Sequence, residues 1–359
     1  MLHVQSSSSV KLVNDFNHQG LCCIYTNADS FMNKLDEFKT RFLCDAKTPD
    51  IIAITEVVPK NMRYILTKAE LNLNGYELFP SNFPGKAKRG IIVYIKNSIN
   101  ATEVDIDSEF EESVWIKIPL LGHDNLLYGC IYKSPSSDES KHKALNDLLN
   151  KASNLGHNFT HILINGDFNF PDIDWENWTA KNETSTEFIE CLRENFLHQM
   201  VAKPTRIRIN QEPSILDLII VNDLNNIANI EHLDPLGASD HCVLKYDYMC
   251  YFKYTECAIE RLNYYKADYV ALRQELNIDW EKELEHKNTN DMLKAFMDKF
   301  NQAVSKHVPK SRPKNSKGNT TLSKETLSSV RRKHRLWERY MEKKSEESHR
   351  EFCKARNKV

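Results

Sequence analysis

Four short segments place acid, amide or imidazole groups at the end of a β-branched or aliphatic run. They are Tyr25-Thr26-Asn27-Ala28-Asp29, Ile54-Thr55-Glu56, Asn165-Gly166-Asp167-Phe168-Asn169 and Gly237-Ala238-Ser239-Asp240-His241. Strand ends are where an α/β scaffold holds polar side chains rigidly in one cleft. Carboxylates gathered there repel one another, so such a cluster calls for a divalent cation. The donors are oxygens and the motifs contain no cysteine, which points to Mg²⁺ or Mn²⁺ rather than zinc. Each segment alone has an ordinary structural meaning. An Asp-His pair is commonly a surface turn, Asn-Gly-Asp-x-Asn favours turn geometry, and Glu56 could cap a helix. Specificity lies in the ordered set, spread over about 215 positions.

The elements that must position these groups can be read from the pattern of apolar residues. Strands are expected at Leu21-Tyr25, Ile51-Thr55, Gly90-Ile95, Val114-Ile118, Asn125-Tyr132, His161-Asn165, Leu216-Val221 and Cys242-Tyr246, each ending in Asn, Asp, Gly or Pro punctuation. Helical spacing marks Asn33-Phe42, His142-Ser153 and Thr186-Glu194. The strands between Gly90 and Tyr132 follow one another without helices, which argues for a mixed or antiparallel sheet. About 230 residues of this kind suffice for one α/β domain. Beyond Tyr251 the pattern changes: Met292, Phe296, Phe300, Val304 and Val308 recur every four residues and stop at Pro309, an amphipathic helix. Pro309-Asn319 reads as a basic linker, and one last helix is expected over about Ser323–Asn357, its apolar face too thin to fold alone. The organisation expected is therefore a flexible 1–19, a domain over 20–250, a helical connector over 251–308, a basic linker over 309–322 and a basic charged helix over 323–359.

The composition is that of an ordinary globular protein: 359 residues, 41% hydrophobic, 27% charged, with 10 Gly and 12 Pro. The nine cysteines are odd in number and contain no C-x-x-C, which argues for a reducing compartment and against a disulfide framework. No apolar h-region opens the chain and no run approaches a membrane span, so neither secretion nor membrane integration is expected. The net charge of -2 conceals an asymmetry: Lys306 to Val359 holds 17 Lys and Arg against 6 Glu, leaving 31 against 44 in the remainder. An acidic body followed by a basic tail suggests a polyanionic partner, although a solvated charged helix has the same composition.

The motif set resembles the endonuclease/exonuclease/phosphatase superfamily. Asn27-Ala28-Asp29 looks like its first motif, Glu56 like its metal-binding glutamate, Gly166-Asp167-Phe168-Asn169 like its GDxN motif and Ser239-Asp240-His241 like its terminal SDH. Within it, the chain is most similar to the apurinic-type endonuclease domain that opens the reverse-transcriptase polyprotein of non-LTR retrotransposons. That likeness rests on Arg89-Gly90, Ile131-Tyr132, GDFNFPDIDW from Gly166, Pro204-Thr205-Arg206, Ser214-Ile215-Leu216-Asp217-Leu218-Ile219 and PLGASDH from Pro235. It spans about Leu21 to Tyr246. Tyr264–Tyr269 and the ending near Ala355 look like the connector that leads into the polymerase. No polymerase signature follows before Val359, so these residues are not expected to reverse-transcribe by themselves.

The resemblance implies a four-layer α/β sandwich of two mixed β-sheets flanked by helices, followed by C-terminal connector helices. It also implies a phosphodiesterase that attacks a backbone phosphate with water, using Mg²⁺, or alternatively Mn²⁺. Glu56 would be the principal metal ligand, with Asp29, Asn27 and Asp240 near the ion directly or through water. Asp167 would take the attacking water, Asn169 would orient water or phosphate, and His241 would face the scissile phosphate with Asp217 on its other ring nitrogen. Whether Asp167 or His241 removes the proton stays open. Tyr132 would contact the phosphate or assist the leaving oxygen. Arg89, Lys88 and Lys86, with Arg206, would touch the DNA backbone. The substrate implied is double-stranded DNA, nicked to leave a 3′ hydroxyl, with RNA as a further partner for the basic tail. Chromosomal DNA implies the nucleus, for which Arg331-Arg332-Lys333-His334-Arg335 is a weak import-type cluster. Two alternatives use the same residues differently: a phosphomonoesterase or lipid phosphodiesterase on the same scaffold, or an inactive nucleic-acid-binding fragment.

Overall fold

The computed structural model describes residues 20–44, 48–59, 70–81, 89–155, 159–208, 211–252, 261–285, 287–311 and 323–358. The chain divides into two compact units, one of Met1–Thr255 with Thr320–Val359 and one of Glu256–Asn319. No described helix is long and apolar enough to cross a membrane.

In chain order the first unit contains β1 (Leu21–Asn27), α1 (Leu35–Phe42), β2 (Ile51–Thr55), β3 (Tyr76–Ser81), β4 (Ile91–Lys96), β5 (Thr102–Glu103), β6 (Ser113–Pro119) and β7 (Asn125–Tyr132). There follow α2 (Glu139–Ser153), β8 (His161–Asp167), α3 (Glu183–Glu194), β9 (His198–Gln199), β10 (Asp217–Val221), β11 (Ile227–Leu233) and β12 (Val243–Tyr248). They build two six-stranded mixed sheets, ordered β11-β12-β1-β2-β4-β3 and β5-β6-β7-β8-β10-β9. Each sheet has one parallel pair, β1 with β2 and β7 with β8, and its other pairings are antiparallel.

Side chains alternate across a strand, so each central strand feeds two cores. On β1, Leu21, Cys23 and Tyr25 point between the sheets, while Ile24 joins Phe38 and Phe42 of α1 on the outer face. On β7, Leu126, Tyr128, Cys130 and Tyr132 point between the sheets, while Leu127 and Ile131 meet Leu145, Leu148 and Leu149 of α2 and Phe188 and Leu192 of α3. The result is the four-layer α/β sandwich. Aliphatic runs buried on both faces are legible as strands. The edge strands β3 and β11 are not, because they are half exposed, one carries Pro80, and the other is bulged between Ala228 and Glu231.

The segment expected to be one terminal helix is two: α7 (Lys324–Lys343) and α8 (Glu346–Arg356), separated at Lys344, whose φ of +48° ends the first. Ser323 and Ser345 cap their N-termini. Trp337, Tyr340 and Phe352 pack together and are buried as part of the inter-sheet cluster. The second unit holds β13 (Arg261–Leu262) paired with β14 (Lys310–Ser311), and α4 (Tyr269–Leu276), α5 (Trp280–Leu284) and α6 (Thr289–His307). In α6, Phe296 touches Trp280 and stacks on Phe300, with Val308 as the C-cap. Among the described residues the cysteines are thiols without disulfides.

Candidate active site

One edge of the sandwich collects the site. The parallel pairs end there at Asn27 and Thr55, and at Tyr132 and Asp167. Their antiparallel neighbours begin there: Asp217, the first residue of β10, is paired with Asp167, and His241 lies two residues ahead of β12. Clefts outside the carboxyl ends of parallel strands are the usual location of sites in α/β sheets. Asp29, Glu56 and Asn169, which lie just past three of these strands, have φ of +39°, +52° and +49°. Such left-handed backbone at non-glycine residues costs about 1–3 kcal/mol each and clusters at functional positions. Gly166 is demanded by packing, since a Cβ there would lie 2.0 Å from the Ile131 carbonyl oxygen.

At the centre, Asp167 is 1% exposed and Asp217 is fully buried. His241 Nδ1 lies 2.7 Å from Asp217 Oδ2, and Tyr25 donates its hydroxyl to Asp217 Oδ1 at 3.0 Å. The Thr205 hydroxyl accepts the amides of Leu216 and Asp217 at 3.1 and 3.0 Å, fixing the start of β10. Since the carboxylate can only accept, Nδ1 carries the hydrogen and Nε2 is turned toward Asp167 Oδ2, 4.0 Å away, and Asp240 Oδ1, 3.9 Å away. Asn27 Nδ2 donates to Asp167 Oδ2 at 2.8 Å and the Asn169 amide to Asp167 Oδ1 at 3.2 Å. Burial and the neighbouring Asp217 raise the Asp167 carboxyl well above the usual range, against the pull of His241 and Asn27. Burial opposes charging of His241, yet Asp217, Asp167 and Asp240 outweigh it and raise the imidazole above its ordinary value.

A second cluster lies on the sheet of β1 and β2. Arg89 Nη2 pairs with Asp29 Oδ1 at 2.5 Å and also with Glu56 Oε2. Tyr132 donates to Glu56 Oε1 at 2.8 Å; burial and Glu56 keep its phenol protonated. Asp240 takes Arg206 Nε and Arg208 Nη2, both at 2.9 Å. Burial opposes its ionisation, but His241 and the two arginines lower its pKa. Arg89 and Arg206, expected at the DNA backbone, thus have their guanidinium groups on the site's own carboxylates, whose mutual repulsion they offset. Lys86 and Lys88 lie outside the described residues. Asn169 Nδ2 donates to the Lys133 carbonyl at 2.8 Å.

The oxygen donors suit a hard divalent cation. A carboxylate oxygen of Asp29 and one of Glu56 converge on a single guanidinium nitrogen, so they already define a point where positive charge is stabilised, with Tyr132 holding the second Glu56 oxygen. Asp167, Asp217 and His241 also bring ligand atoms within 4.8 Å of one another. Both Asp217 oxygens are already engaged, however, Oδ2 by His241 Nδ1 and Oδ1 by the Tyr25 hydroxyl, so that trio is better described as a buried acid-imidazole pair beside a carboxylate.

Sequence reasoning missed the supporting residues. Lys34 Nζ donates to the Ala28 carbonyl and, at 2.8 Å, to that of Asp29. Lys133, 3% exposed, donates to the Asn169 carbonyl at 3.1 Å and lies over the Phe170 ring; burial lowers its pKa to about 8. Ser239 donates to the Asn27 carbonyl at 2.8 Å, joining the SDH loop to the first motif. That loop is braced from the C-terminus: Lys333 Nζ, 1% exposed, lies 2.6 Å from Glu37 Oε1 and 2.8 Å from Asp234 Oδ2. Glu37 in turn accepts the Gly237 amide at 3.0 Å, and Arg41 pairs with Asp234 at 2.9 Å. Burial disfavours the Asp234 charge, but Arg41, His334 and Lys333 together hold it far below the ordinary carboxylate range. The central lysine of the import-type cluster at 331–335 is therefore engaged inside the protein rather than displayed. Only an order of residues, with no local spacing, links Lys333 to Glu37 across 296 positions.

Residues 126–245 match the family model described as endonuclease-reverse transcriptase. No curated protein sequence matches. Among solved structures, the AP endonuclease LMAP from Leishmania major aligns over 64% of this chain and 88% of its own, with 13% identity and a TM-score of 0.50. The endonuclease domain of TRAS1, a telomere-specific non-LTR retrotransposon, aligns over 64% and 99%, with 15% identity and a TM-score of 0.48. A 3′ phosphatase from Neisseria bound to a product DNA hairpin aligns over 64% and 99%, with 14% identity and a TM-score of 0.47. Residues 126–245, about a third of the chain, are thus similar to the endonuclease-reverse transcriptase family. The fold is similar to that of the AP endonuclease.

Proposed function

We propose that this chain is a Mg²⁺-dependent phosphodiesterase, a DNA endonuclease that nicks double-stranded target DNA and leaves a 3′ hydroxyl for retrotransposon integration by target-primed reverse transcription. The observation that carries the reading is the facing pair of clusters: the buried Asp217-His241-Asp167 arrangement beside Asn27, opposite the convergent Asp29 and Glu56. The family match and the fold are those of nucleases and phosphatases, hydrolases of phosphate esters.

Glu56 and Asp29 would hold the cation, with Asn27 and Asp240 near it. A bound Mg²⁺ would neutralise a phosphate oxygen and the charge that develops on the leaving group. The protein's own residues supply position and proton handling. Asp217 accepts the Nδ1–H of His241 and, with the other acidic neighbours, favours the doubly protonated ring, so that Nε2–H would face the site and donate to a phosphate oxygen. Asn27 and the Asn169 amide fix Asp167 so that one carboxylate oxygen can accept a proton from the attacking water. Tyr132 stays protonated and can donate to the leaving oxygen. The same reading places the enzyme in the nucleus and gives the basic C-terminal segment an RNA partner.

The test incubates the purified full chain with supercoiled plasmid and Mg²⁺. Wild type is expected to produce open circles, EDTA to abolish this, and Glu56→Ala and His241→Ala to reduce the rate by about 10²–10⁴-fold. Full activity in both variants, on protein free of contaminating nuclease, would overturn the assignment. Release of inorganic phosphate from small esters without nicking would move it to a phosphomonoesterase.

A further inference from the structure

The basic residues of α7 are divided by face. Lys333 is turned inward onto Glu37 and Asp234, whereas Arg332, Arg335 and Arg339 are exposed. Spaced by three and four residues, these arginines share one side of the helix. With Lys354 and Lys358 of the α8 segment they line a groove of about 640 Å³, whose lining includes one carboxylate, Glu351, paired with Arg339 at 3.3 Å. Like charges at such spacings weaken a helix unless an anion compensates them. The groove is also built on a fixed base, because the Trp337, Tyr340 and Phe352 rings join the cluster of the sheet strands and Lys333 pairs with Glu37 and Asp234.

We infer that this groove binds the phosphodiester backbone of a nucleic acid. From Arg332 to Arg339 the helix advances about 10 Å, and phosphates along one duplex strand advance about 3.4 Å each, so the row matches roughly three phosphates. Arginine presents its donors as a planar fork suited to phosphate oxygens, and the Ser329 hydroxyl lies one turn earlier on the same lining. The groove shares no residue with the catalytic cluster, so it would add affinity and orientation rather than chemistry. The inference deepens the nuclease reading by naming the residues that hold a polyanionic partner.

Binding is measured by fluorescence anisotropy on the full chain, in EDTA so that nothing is cleaved, with a labelled DNA duplex and a single-stranded RNA of equal length across a salt series. Replacing Arg332, Arg335 and Lys354 together by Gln should weaken binding. It should also make the log–log salt slope shallower by about 0.9 for each duplex phosphate that is no longer neutralised, or about 0.7 on a single strand. A control replacing the exposed Lys141, Lys143 and Lys181 by Gln removes the same charge elsewhere and should leave the slope nearly unchanged. A larger loss on DNA or on RNA identifies which backbone the groove holds. Unchanged affinity and slope in the groove variant, or an equal loss in the control, would overturn the inference. Because the readout needs no cleavage, a wild type that fails to nick plasmid would defeat the nuclease reading and leave this result standing.

Discussion

Asp167 and His241 face each other across 4.0 Å, and both protonation equilibria are displaced in the same direction relative to the unfolded chain. Asp167, raised by burial and Asp217, keeps a proton that the unfolded chain has released, so its contribution to stability falls as pH rises from near 3.8 through the raised value. His241, raised by its acidic neighbours despite burial, contributes stability below 6.5 that is lost as pH rises through its folded value. In metal-free protein the free energy of unfolding in urea should therefore be lower at about pH 8 than at about pH 5.5, and Asp167→Asn should flatten the lower part of that decline. Asp217→Asn should lower the His241 pKa, visible as an earlier titration of its ring protons by NMR. Nicking should fall with it by about 10²–10⁴-fold, as for a positioned proton-transfer group. Asn27, Glu56, Asp167 and His241 were legible because motif order and strand-end punctuation mark them. Tyr25, Lys34 and Lys133 were not, since a tyrosine or lysine has no local signal for a partner elsewhere in the chain.

Among the elements, α7 is the one whose role changes most between sequence and structure. Its 3.6-residue spacing identifies a helix, but nothing in that spacing shows that Lys333 enters a buried cluster with Glu37, Asp234 and Arg41. Breaking a buried ion pair costs about 3–5 kcal/mol, so Lys333→Met should lower the unfolding free energy by that order, and Lys333→Arg should recover part of it. His334, raised chiefly by its hydrogen bond to Asp234, gives up its share of the docking as pH rises through its folded value, whereas the lowered Asp234 does so only in strong acid. Limited proteolysis of the α7–α8 segment should accordingly be faster in mild alkali than in mild acid. At Gly166, Ala should disturb the pairing of β7 with β8, because the new Cβ meets the Ile131 backbone. The readout is a lower unfolding midpoint with a loss of nicking.

At the scale of the molecule, the first unit joins Met1–Thr255 to Thr320–Val359, with Glu256–Asn319 forming a unit of its own. A shortened chain ending near Tyr251 would therefore lose the partner of Glu37 and Asp234 and should be less stable than the full chain. Cation binding should be readable in the same way. A ligand that binds only the folded state at 100 times its Kd adds about 2.7 kcal/mol, so saturating Mg²⁺ should raise the thermal midpoint. EDTA should reverse the shift, and Glu56→Gln should greatly reduce it.

Read without a structure, the chain determined its central strands and the polar groups at their ends. These follow from two-faced aliphatic runs and from the turn residues that end them, both local properties of covalent order. Tertiary structure alone decided the placement of Arg89 between Asp29 and Glu56, of Arg206 on Asp240, and of Lys333 beneath the SDH loop. An ion pair depends on where two side chains arrive in space, and a basic residue has the same local pattern whether it meets solvent, a phosphate or a buried carboxylate.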